Sequence, residues 1–249
     1  MLVVFDIDGT LQDTTRWWPA LCNEARRDFA ALHGVEVSPL DARCCNEVVG
    51  RGAEVWSDLL PTELSHRASD FAGFVIEREV QLLRSGSDLL FDGTMALLGD
   101  LHTRGHDVML ASNCGAAYLE GFLSGQLAGF ADRLCAAACL EGLWRPAVDP
   151  GANFVAMRFA SKVESVAALL EGRGPERAVL VGDRASDAEA ARAHGLAFVL
   201  RTSWHGRGEL GEDAAFAESH EGIEVLAQLA ARDRCAGADD AESSSAAIL

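Results

Sequence analysis

The apolar run that opens MLVVFDIDGTLQDT ends on two aspartates one residue apart, Asp6 and Asp8, followed by Gly9 and Thr10. Residues two apart on an extended strand share a side, so both carboxylates face one pocket if the strand lasts to Asp8. Like charges that close repel each other and need a cation between them. A hard divalent ion suits, because Mg2+ takes one or two carboxylates, waters and a substrate phosphate as its oxygen ligands. A second acid pair, Asp183 and Asp187, follows the apolar run AVLVG, and Ser112 closes another such run. With Lys162 as the cation, the set is two paired acids, a hydroxyl, a lysine and a second acid pair, a combination suited to handling phosphoryl groups.

Composition singles out Lys162. Of the 21 cationic Lys and Arg residues, 20 are Arg and one is Lys. A lysine kept against that background points to a task that the planar fork of Arg does not perform. Arg51, between Gly50 and Gly52, is the candidate for reaching a substrate carboxylate or second phosphate from a flexible turn.

These residues must be positioned by a scaffold. Short apolar runs at 107–112, 133–139, 178–183 and 197–202 resemble the first run and predict buried parallel strands. Helical stretches alternate with them at 94–103, 116–126 and 187–194, which predicts an α/β fold with a Rossmann-like three-layer core and a parallel sheet. Open sheets of this kind place their sites at the carboxyl ends of strands, where Asp6, Asp8, Ser112 and Asp183 can converge. Two runs around DPGAN, spanning 143–159, predict a β-hairpin. Ser161 and Glu164 have capping-box spacing, which puts Lys162 in the first turn of a helix at a partly exposed position. Ser186 and Glu189 have the same spacing beside Asp187, from where a carboxylate reaches metal-bound water or Lys162.

The stretch 14–91 breaks the alternation. Trp18, Leu21, Cys22, Ala25, Phe29 and Leu32 recur at helical spacing after a capping Thr15. A second helix is expected from Ser38-Pro39 to Gly50, a third over 53–60 and a fourth over 64–84. The expected organisation is a core domain of 1–13 and 92–234, an inserted all-helical cap domain over 14–91 that closes over the site, and a small, acidic, disordered tail at 235–249.

The chain has 249 residues and a formal net charge of −17, which opposes general binding to nucleic acid. Asp6 interrupts the first apolar run too soon for a secretory signal, no later run reaches membrane-spanning length, and a cytoplasmic location is expected. The seven scattered cysteines, without CxxC spacing, read as reduced thiols packed as small hydrophobes. The expected partner is a small phosphorylated metabolite, with no nucleic acid, no membrane, and a monomer or homodimer as the assembly.

Four motifs in order, Asp6-Ile7-Asp8-Gly9-Thr10-Leu11, Ser112-Asn113, Lys162 and Gly182-Asp183-Arg184-Ala185-Ser186-Asp187, make the chain resemble the haloacid dehalogenase (HAD) superfamily. The resemblance is to its phosphatase branch with a helical C1-type cap, between phosphoglycolate phosphatase-like and phosphoserine phosphatase-like members. It implies a Mg2+-dependent phosphatase with Asp6 as nucleophile, forming an aspartyl-phosphate, and Asp8 as general acid and then base. It further implies metal held by Asp6, Asp183 and the Asp8 carbonyl with Asp187 in the same set. Ser112, Lys162 and the backbone around Gly9 would hold the phosphoryl group, with Thr10 and Asn113 also on the substrate side. The third motif here is Ser161-Lys162-Val163 where sugar-phosphate relatives often carry Lys-Pro, and the fourth ends in Ala-Ser-Asp rather than Gly-Asn-Asp. A phosphomutase of the sugar-phosphate type shares all four motifs, and a phosphoacceptor module or a non-hydrolytic binding protein are the alternatives from another class.

Overall fold

The computed structural model describes residues 1–49, 53–146, 153–174, 178–201 and 215–217. They form two compact units. One comprises Met1–Gln12, Phe91–Ser112 and the described residues from Gly129 onward, and the other comprises Asp13–Leu90 and Asn113–Ala128.

The first unit is built on β1 (Leu2–Phe5), β2 (Asp107–Ala111), β3 (Ala136–Cys139), β4 (Gly142–Trp144), β5 (Phe154–Ala156), β6 (Ala178–Gly182), β7 (Ala197–Arg201) and β8 (Ala215–Ala217). Its helices are α4 (Thr94–Thr103), α6 (Lys162–Leu169) and α7 (Ala185–Ala193). The sheet order is β5-β4-β3-β2-β1-β6-β7-β8, with β4 antiparallel to both neighbours and every other pair parallel. The expected parallel strands and the hairpin are thus present. The turn 140–141 adds a second reversal between β3 and β4, and β8 is a strand that the sequence did not suggest.

Burial explains the continuous apolar runs. All four residues of β1 and all five of β6 are buried, as strands covered on both faces require. Leu2 and Val4 pack in one cluster with Val166 and Leu169 of α6 and Ala190 and Ala191 of α7. Helix α4 packs on β2 outside that cluster. Register then fixes the functional end: Phe5 pairs with Leu110 on one side and Val181 on the other. Asp6, Ser112 and Asp183 therefore leave the same edge of the sheet.

The second unit contains α1 (Thr14–Leu32), α2 (Ala42–Asn46), α3 (Ala68–Arg84) and α5 (Ala116–Ser124), with 3-10 turns at Ala53–Leu59 and Thr62–Arg67. Trp18, Cys22, Ala25 and Phe29 face inward as their spacing predicts, whereas Leu32, the last residue of the helix, is 70% exposed. The buried stripe of α1 also holds a cation. Arg26 donates to the carbonyls of Leu59 and Ser38, tying the segments on either side of α2 to α1. The second helix starts at Ala42, where the Asp41 side chain accepts from the Arg43 N–H, and not at Ser38-Pro39. Thr15 does not cap α1 but donates to Asp13. Gly125 lies so close to α3 that a Cβ there would collide with the Leu83 carbonyl oxygen. The neighbouring Gln126 side chain donates to the carbonyls of Leu83 and Ser87, both at 2.9 Å, and accepts from the Leu89 N–H at 3.1 Å.

Six of the cysteines lie among the described residues and all six are free thiols. Among the described residues, no helix is long and apolar enough to cross a membrane. The tail 235–249 and Gly50-Arg51-Gly52 lie outside the described residues.

Candidate active site

Strand β1 ends at Phe5, one residue before the first acid. The Asp6 N–H still continues the ladder to the Val181 carbonyl at 2.9 Å. The chain then turns, because the N–H groups of Thr10, Leu11 and Gln12 all converge on the carbonyl of Ile7. Extended geometry therefore does not last to Asp8, and strand alternation is not what directs the two acids. A tight turn does so. Gly9 supports it with φ of +78°, a left-handed conformation that a Cβ disfavours. A Cβ at Gly9 would also strike the carboxylate of Asp183.

Asp6 is buried, and its Oδ1 accepts from Lys162 Nζ at 2.6 Å. The same ammonium donates to Asp187 Oδ1 at 2.5 Å. Lys162 is 4% exposed, so the partly exposed position expected for it is corrected. The first turn of α6 faces the sheet edge here, and Ser161 caps it by accepting from the Glu164 N–H. Asp187 is fully buried, and its other oxygen accepts from the Arg184 N–H at 3.0 Å. The capping acid of α7 is therefore Asp187 itself, in place of the expected Ser186 and Glu189. Gly182 makes room for it, since a Cβ there would meet the Asp187 carboxyl group.

Asp183 is fully buried, and neither of its carboxylate oxygens accepts a hydrogen bond among the described residues. Arg184 Nε approaches Asp183 Oδ2 at 3.9 Å, within ion-pair range and beyond hydrogen-bond range. Asp6, Asp183 and Asp187 each offer an oxygen within 4.8 Å of the others. The Asp8 carboxylate stands outside this trio. It accepts at Oδ1 from the Gln12 amide at 3.2 Å.

Burial dominates the electrostatics. It pushes the Asp6 carboxyl up, against the pull of Lys162. It pushes Asp187 up to about 6, again against Lys162. Asp183 is raised well above the usual carboxylate range by burial, then by the charges of Asp6 and Asp187. For Lys162, burial acts downward, but Asp187 and Asp6 outweigh it and hold the ammonium charged. A pocket of crowded acids with two orphaned carboxylate oxygens fits Mg2+, whose hard-oxygen preference matches this donor set and whose charge would keep the acids ionised.

Ser112 is buried at the end of β2, its N–H donating to the Ala138 carbonyl at 3.0 Å. Thr10 is fully buried, and its hydroxyl has no hydrogen-bond partner among the described residues. Asn113 belongs by its contacts to the helical unit. Two residues went unrecognised in the sequence. Gln12 was hidden as one more polar residue of a turn, although it is fully buried. Arg184 was hidden among 20 arginines, and its place directly after Asp183 was the available signal.

A family model described as haloacid dehalogenase-like hydrolase matches residues 1–195. Among solved structures, the fold is shared with a haloacid dehalogenase-like family hydrolase from Streptococcus pneumoniae, at 18% identity and a TM-score of 0.63, covering 92% of this chain and 97% of that one. A predicted phosphoglycolate phosphatase from Haemophilus somnus is 18% identical with a TM-score of 0.65, over 90% of this chain and 96% of that one. CbbY from Rhodobacter sphaeroides, solved as a variant in complex with xylulose-(1,5)bisphosphate, is 20% identical with a TM-score of 0.63, over 88% of this chain and 94% of that one. No curated protein matches the chain.

Proposed function

Because the chain belongs to the haloacid dehalogenase-like hydrolase family, we propose that it is a Mg2+-dependent phosphatase that hydrolyses a small phosphorylated metabolite through an aspartyl-phosphate on Asp6. The observation that carries this reading is the Asp6 carboxylate, buried at the end of β1, bonded to Lys162 and grouped with Asp183 and Asp187.

In this mechanism a carboxylate oxygen of Asp6 attacks phosphorus while the bond to the ester oxygen breaks. Asp8 gives its proton to that leaving oxygen. Asp8, now a carboxylate, takes a proton from water as the water attacks phosphorus, and the bond to Asp6 breaks to release inorganic phosphate. Lys162 fixes the rotation of Asp6, and Asp187 in turn fixes Lys162. Gln12 orients Asp8. Ser112 and the backbone around Gly9 are assigned to the phosphoryl oxygens. Asp6 and Asp183, with the Asp8 carbonyl and Asp187 in support, would hold Mg2+, which supplies charge neutralisation at the phosphoryl group.

Choice of metabolite is assigned to the helical segment 14–91, with Arg51 as the candidate contact to a second anionic group. The sugar bisphosphate held by CbbY supports small phosphorylated metabolites as the substrate class. The test is inorganic phosphate release from a panel of small phosphomonoesters, with and without Mg2+, beside the Asp6→Asn protein. Metal-dependent release that vanishes in the variant supports the reading. Release that survives in Asp6→Asn removes Asp6 as nucleophile, and conversion of one phosphate ester into another without free phosphate favours a mutase.

A further inference from the structure

We propose that Arg184 is a resident competitor of the divalent cation: its guanidinium, held beside Asp183, sets metal affinity below what the carboxylates alone would give. The inference rests on the metal-dependent reading above.

The geometry divides the cations of the pocket between the acids. Lys162 is committed to Asp6 and Asp187 through two hydrogen bonds. Among the described residues, Asp183 accepts no hydrogen bond, and the cation within 4 Å of it is Arg184, with Nε at 3.9 Å. The Arg184 backbone is pinned where it stands, because its N–H donates to Asp187 Oδ2. Its side chain is only 17% exposed, so solvent screens its charge incompletely. Among the described residues, three buried acids thus share two cations, Lys162 on Asp6 and Asp187 and Arg184 beside Asp183.

The same charge opposes the metal. A divalent cation entering beside Asp183 adds positive charge close to the guanidinium, and that repulsion disfavours its binding. The 3.9 Å separation means that no hydrogen bond between Arg184 and Asp183 has to break as the metal enters. The consequence is a site whose occupancy follows the free Mg2+ concentration.

The experiment is calorimetric titration of MgCl2 into the full-length metal-free protein at constant pH and ionic strength, in wild type, Arg184→Gln, Arg184→Met, Arg184→Lys and Asp183→Asn. The two neutral variants should bind Mg2+ about tenfold more tightly than wild type, and Arg184→Lys should stay near the wild-type value. A merely structural role for Arg184 predicts the opposite sign, since a disordered pocket binds metal less well. Two neutral substitutions are used so that loss of folding in one leaves the other. Equal or weaker binding in a folded neutral variant overturns this inference while leaving the phosphatase reading intact. Absence of Mg2+ binding in wild type, or binding retained in Asp183→Asn, overturns the metal reading and this inference with it.

Discussion

Lys162 Nζ lies 2.6 Å from Asp6 Oδ1 across 156 positions of sequence, and both groups are almost wholly removed from water. The contact joins the first turn of α6 to the end of β1. Replacing Lys162 by Met removes the shared cation from two buried carboxylates, a change that typically costs about 3–5 kcal/mol. We expect a lower Tm at pH 7, by roughly 6–20 °C for a chain of this size. The deficit should shrink as pH falls towards about 6, because Asp187 in the variant lacks the lysine that holds it down and takes up its proton at a higher pH than in wild type. Thermal melts at pH 5 and 7 check this, and a deficit that grows at pH 5 would contradict the charge assignment.

Gln12→Leu removes the amide bonded to Asp8 while keeping an apolar side chain of similar size in a fully buried position. Turnover should fall about ten- to a hundredfold, the range set by a hydrogen bond to a charged group, with little change in KM. Steady-state kinetics on the best ester of the panel measure the split. A change confined to KM would show that Gln12 serves binding rather than Asp8.

Gly9→Ala forces a Cβ into a left-handed position and against the Asp183 carboxylate. Displacement of a site group by about 1 Å costs on the order of a hundredfold in rate. We expect at least that loss of turnover, together with weakened Mg2+ binding, in a protein whose circular dichroism is unchanged. Wild-type activity in the alanine variant would mean that the turn relaxes without disturbing Asp183.

Away from the site, Arg173 holds Asp107 at 2.6 Å, and that hydrogen bond lowers the Asp107 carboxyl below the usual range. A carboxyl depressed in the folded state contributes stability above its unfolded value, near 3.8, and loses it as pH falls through the folded one. Both side chains are more than a third exposed, so the pair is worth at most about 1 kcal/mol. Arg173→Gln should therefore lower Tm by at most about 2–4 °C at pH 7 and by less near pH 2. An equal loss at both pH values would assign the effect to packing of the arginine stem.

The strands were legible because a parallel strand buried on both faces can hold little but apolar residues, and LVVF and AVLVG show this without alternation. The acids that follow them were legible as strand-end residues. Burial of Lys162 was not, since the first turn of a helix is usually wet and only tertiary packing turns this one inward. The helix expected from Ser38-Pro39 failed for a related reason. Ser38 gives its carbonyl to the buried Arg26, a bond between distant segments that no local pattern encodes, and Asp41 takes over the cap. Gln12, Arg184 and Gln126 escaped for the same cause: each acts through a partner that folding supplies.

Helix α5 connects β2 to β3 along the chain, yet it packs on α3 and is fastened there by Gln126 and the close approach of Gly125. Modularity is therefore not a matter of cutting once. A chimera that exchanged 14–91 with a relative and kept its own 113–128 would set two helical surfaces with different histories against each other. The transplantable block in this chain is two segments, and recombination that respects both is the route by which its helical unit can be traded intact.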